Sequence, residues 1–142
     1  MKMLFFILPL LFVLLFISCT MGGVEVGLVG TWNLSDIEGK YLDGATDKKG
    51  TWVINCNDTF TGKLSWKKGG NEFEITGNGT ITANYQNKII NRDYEKYERK
   101  MNGIVRNTDP AVDNQDEPVS YILNNNTLKM TDDSYNATYT KQ

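Results

Sequence analysis

Histidine is absent from the 142 residues. Serine–histidine and cysteine–histidine nucleophile systems need an imidazole base and the common zinc sites need imidazole ligands, so composition alone excludes both. Basic residues form pairs such as Lys48-Lys49 and Lys67-Lys68 but no longer run, and the net charge is −2. Nucleic acid is therefore not an expected partner, because neutralising phosphates takes clustered lysine and arginine. Asp109, Asp113, Asp116 and Glu117 offer oxygen ligands, but their spacing matches no calcium loop. No metal and no cofactor is expected. Glu72 and Glu74 share the polar side of an alternating segment and read as solvated side chains, not as a glycosidase pair. With no nucleophile and base to name, no catalytic residue is assigned and the chain is not expected to be an enzyme.

What the sequence does contain begins at the N-terminus. Lys2 is followed by an apolar run from Leu4 to Ile17, broken only by Pro9. Such a run is short for a membrane span and has the order of an export signal. It ends in Phe16-Ile17-Ser18-Cys19, which resembles a bacterial lipobox, with Phe16 where leucine is preferred. The resemblance implies that residues 1–18 are a signal peptide and that Cys19 carries a diacylglyceryl group and an acylated amine, palmitate being a typical chain. The protein would then sit on a membrane of the bacterial cell envelope. Thr20 after the cysteine implies the outer membrane. Several acyl chains make such an anchor stable. The only other cysteine, Cys56, would be left without an intramolecular partner. Residues 19–27, with Gly22-Gly23, read as a lipidated tether, and residues 28–142 as one domain.

From Leu28 onward, apolar residues alternate with polar ones at the period of strands. Trp32 and Leu34 share a face, as do Trp52, Ile54 and Cys56, and Phe60, Leu64 and Trp66. Phe73 and Ile75 precede Gly77-Asn78-Gly79, which reads as a hairpin turn into a strand with Ile81, Ala83 and Tyr85 inward. Val119, Tyr121 and Leu123 lead through Asn124-Asn125-Asn126 to Leu128 and Met130, and Asp132-Asp133-Ser134 turns into Tyr135, Ala137 and Tyr139. Residues 88–106 are ambiguous. Ile90, Tyr94, Tyr97 and Met101 fall at helical spacing, whereas Tyr97, Arg99 and Met101 alternate, so strands are expected, with a short helix near 92–100 as the alternative. Asn107 to Glu117 reads as a polar, acidic loop.

About eight or nine short strands with tight turns indicate an all-β, antiparallel, up-and-down barrel, whose closure removes exposed strand edges. Gly30-Thr31-Trp32 resembles the Gly-x-Trp start of lipocalins and bacterial lipocalin-like domains. The Asp58 to Gly62 turn, the Tyr121 to Thr131 hairpin and the final Tyr139-Thr140-Lys141 fit the looser lipocalin-like pattern. The resemblance implies a calycin-type barrel in which Gly30 and Trp32 form the closed base. The chain departs from the narrower lipocalin pattern in having no arginine near the C-terminus to cover Trp32.

A barrel of this size holds packed side chains or one small ligand. Trp52, Trp66, Phe73, Tyr85, Tyr121 and Tyr139 are the candidate lining of a cavity for a small hydrophobic ligand or lipid. The competing expectation is a surface interaction protein, an enzyme inhibitor or adhesin, acting through the Asn107 to Pro118 loop of a filled barrel. No particular protein partner is indicated.

Overall fold

In the computed structural model, residues 24–113 and 115–142 are described. The apolar N-terminal run and Cys19 lie outside the described residues. The alternating segments form nine strands: β1 (Gly30–Gly39), β2 (Thr46–Ile54), β3 (Thr59–Lys68), β4 (Asn71–Asn84), β5 (Ile89–Met101), β6 (Ile104–Asn107), β7 (Val119–Asn124), β8 (Thr127–Thr131) and β9 (Tyr135–Lys141). Every pairing is antiparallel. β1 to β5 follow one another as neighbours, β7 continues from β5, and β9 returns to β1, so eight strands close a barrel. β6 folds back on the far end of β5 and stands outside the ring. Among the described residues no helix is long and apolar enough to cross a membrane.

The turns follow from the residues that occupy them. Gly69 and Gly70 both take positive φ between β3 and β4, as a two-residue hairpin requires. Asp58 and Asn125 accept the left-handed region in the β2–β3 and β7–β8 turns, a conformation that Asp and Asn tolerate better than other side chains.

One end of the barrel is sealed. Trp32 and Leu28 are fully buried with Ile54, Phe60, Ile81, Ile90, Val119, Tyr121 and Leu128 around them. The Trp32 indole N–H donates to the Leu28 carbonyl at 2.7 Å. Lys141 covers Trp32: its Nζ lies 5.1 Å from the Trp32 ring centre and donates to the Gly27 carbonyl at 3.0 Å. Gly30 makes room for it, since a Cβ there would stand 2.7 Å from the Lys141 side chain. Val24 to Leu28, including part of the stretch expected as a tether, packs on this base. Val24 is buried, and Glu25 accepts from the Tyr121 hydroxyl at 2.8 Å and pairs with Lys88 at 3.3 Å.

One expectation about β4 needs correction. Gly77-Asn78-Gly79 is no turn, because β4 runs through it as a single strand of 14 residues. Residues 92–100 lie within β5, as the strand expectation had it, and the alternative short helix does not form. The helical spacing there has a local cause. Gly79 pairs with Tyr94 and Asn78 with Lys96, which leaves Glu95 as the extra residue of a β-bulge. The bulge shifts the inward phase from Ile90, Arg92 and Tyr94 to Tyr97, Arg99 and Met101, and this shift mimics helical spacing. Gly79 is what allows it, because a Cβ there would lie 1.9 Å from the Asp93 carbonyl oxygen.

Gly79→Ala is therefore expected to destabilise the barrel by about 3 kcal/mol, as overpacking against rigid backbone does. Gly69→Ala, with open space around its Cβ and only an unfavourable φ, should cost about 1 kcal/mol. Urea unfolding of the two variants checks this, and equal losses would contradict the bulge assignment.

Candidate functional site

Above the sealed base the interior opens into a cavity of about 380 Å³, within the range of small-molecule sites. Gly62 on β3 pairs with Trp52 on one side and Gly77 on the other, and both glycines line the space. The Tyr94 ring lies directly over Gly77, and the Trp52 ring stands 3.1 Å from where a Cβ of Gly62 would be. The two glycines thus let these rings lie flat against the wall of the barrel.

The walls are apolar and aromatic. Ile37, Leu42, Leu64 and Ile75 contribute aliphatic surface, and Trp66 stacks on Phe73 with ring centres 5.3 Å apart. Beneath them runs a chain of ring contacts, Tyr139 with Trp52 at 6.3 Å, Trp52 with Phe60 at 6.0 Å, and Phe60 with Tyr94 at 5.1 Å. Tyr41 stands exposed at the rim.

Trp52, Trp66, Phe73 and Tyr139 line the cavity. Tyr121 is buried in the base cluster instead, and Tyr85 lies beyond the end of β4 with 60% of its surface exposed. Gly30 and Trp32 are at the base. Cys56, expected beside Trp52 and Ile54 on the inner face, is exposed in the β2–β3 turn because β2 ends at Ile54. Among the described residues no cluster of acidic or cysteine side chains could hold a metal ion.

The sequence reading missed the polar centre of the cavity. Arg92 points inward from β5 opposite Ile81 and keeps only 7% of its surface exposed. Its Nη1 donates to the Tyr94 hydroxyl at 3.5 Å and its Nη2 to the Glu117 carbonyl at 3.4 Å, both long for hydrogen bonds. The Tyr135 hydroxyl also hydrogen-bonds the guanidinium. Burial pushes the hydroxyls of Tyr94, Tyr135 and Tyr139 above the usual phenol range, so all three are neutral at physiological pH. The available signal was alternation itself, since Ile90, Arg92 and Tyr94 share one face of a strand.

Arg92 sits beside the weakest join in the barrel. β5 and β7 pair at only two positions, Ile89 with Ser120 and Ile90 with Val119. The segment between β6 and β7, with a single helical turn at Pro110–Asp113, covers the gap beyond them. Gln115 lines the cavity and the Glu117 carbonyl holds Arg92, so this segment is part of the wall.

The class these features define is a closed, eight-stranded antiparallel barrel with a sealed end and an internal cavity, compatible with a calycin-like fold. No family model, curated protein or solved structure matches the chain.

The two ends should differ in stability. Trp32→Ala, which empties a fully packed position, is expected to cost about 4 kcal/mol. Trp66→Ala should cost about 1–2 kcal/mol, because part of the indole already borders open space. Urea midpoints would show the difference, and equal costs would mean that the upper half is packed as tightly as the base.

Proposed function

We propose that the protein is a non-enzymatic binding module that takes one small hydrophobic ligand or lipid into its barrel, and that it is held at the bacterial envelope, at the outer membrane, by lipid on Cys19. The observation that carries the binding reading is the 380 Å³ cavity walled by Trp52, Trp66, Phe73 and Tyr139 above a sealed base. Apolar walls with a few polar groups are the usual composition of small-ligand sites. The interaction-protein alternative gains nothing from the 107–118 segment, which lies against the barrel and contributes to the cavity.

Two measurements test the parts separately. Decanol titrated against the soluble barrel, followed by tryptophan fluorescence, is expected to saturate with a Kd on the order of 10 μM. Xenon under pressure should occupy the same space in a crystal. No saturation at millimolar decanol, together with no xenon site, would refute the binding reading. For the anchor, lipidation and a disulfide between the chain's two cysteines exclude each other, because each uses the Cys19 sulfur. The intact mass of envelope-extracted protein should show cleavage before Cys19 and a diacylglyceryl and acyl addition. A mass two hydrogen atoms below that of the unmodified chain would instead place Cys19 in a disulfide and remove the anchor.

A further inference from the structure

We propose that the ligand is an amphiphile with one anionic head group, carboxylate or phosphate, which enters head first and is held by Arg92 deep in the cavity. This deepens the binding reading and rests on it. A guanidinium presents five N–H donors and always carries its charge. Arg92 is more than nine-tenths buried, and its Nε has no protein partner. The groups that do reach it are two tyrosine hydroxyls and one backbone carbonyl, all neutral. No carboxylate among the described residues pairs with it. Asp132 lies near Tyr135 but turns one oxygen onto the Ser134 and Tyr135 amides, and Asp116 lies near Tyr94.

A buried, uncompensated charge is costly, and proteins ordinarily pair one or leave it out. Here it is retained at the wall of an open space that Leu64, Trp66, Phe73 and Ile75 also line. An anion arriving from that space would meet the fork of the guanidinium in a site shielded from water, where charge-assisted bonds are strong. Tyr94 and Tyr135 flank the same position and can donate their hydroxyl protons to the incoming oxygens. The apolar tail would extend past Leu64 and along the Trp66–Phe73 stack toward Tyr41.

The test compares probes of one chain length with different heads: decanoate, monodecyl phosphate, decanol and decylammonium, each titrated by tryptophan fluorescence. The two acids are expected to bind about tenfold to a hundredfold tighter than decanol, and decylammonium more weakly than decanol. The tighter acid identifies the head group. In Arg92→Met the preference of the acids over decanol should vanish, whatever the absolute affinities, while Arg92→Lys keeps part of the preference. Equal binding of acids and decanol by the natural chain overturns this proposal and leaves the hydrophobic site standing. Binding of none of the four refutes both. If Arg92→Met does not fold, the four-probe comparison on the natural chain still decides. An acid preference that survives in a folded Arg92→Met also overturns the proposal.

Discussion

The close approach of β4 and β5 at Gly79 governs the form of the barrel. There the Asp93 carbonyl occupies the space that a side chain would need, and the extra residue Glu95 is accommodated on β5. A bulge bends a strand and strengthens its twist. Because of it, two of the longest strands can stay paired from the base to the rim while the inward phase changes along β5. Below the bulge, Ile90 and Arg92 point inward; above it, Tyr97, Arg99 and Met101 do. The Tyr94 ring lies over Gly77 next to the bulge, and the cavity floor is built on that contact.

The same barrel carries two kinds of interior. Toward the base, aliphatic and aromatic residues pack around Trp32 under Lys141. Toward the rim, Gly62 and Gly77 let the Trp52 and Tyr94 rings lie against the wall, and the cavity lies beside them. The outer face of β3, β4 and β5 is charged, with Lys63 paired to Glu74 at 2.6 Å and Glu98 lying between Lys96 and Lys100. These pairs are largely exposed and contribute little each. They mark the solvent side of the strands, and the inner side is left to packing and to the cavity.

Much of this was legible in the residues. Alternation gave the inward faces of β1, β3, β7, β8 and β9, and the Asn and Asp clusters gave the turns that join the last hairpins. Trp52, Trp66, Phe73 and Tyr139 were found because aromatic residues on an alternating face have few other places to go. Gly77 and Gly79 were misread because glycine serves both as a turn residue and as a gap for a neighbouring backbone, and only the partner strand distinguishes these uses. Tyr85 and Cys56 were extrapolated from alternation past the points where their strands end. Arg92 was overlooked for a physical reason: a charged residue between two inward-facing ones is ordinarily excluded from a core by its desolvation cost, and its exception is visible only once the cavity is.

The account joins a sealed base, a glycine-lined cavity and a buried guanidinium with which no carboxylate among the described residues pairs. A crystal structure of the barrel grown with decanoate tests that combination most directly. The account predicts the carboxylate oxygens at about 3 Å from the Arg92 nitrogens, with the chain running past Trp66 to the rim. A chain lying with its carboxylate at the rim, or a barrel interior closed by its own side chains, would contradict it.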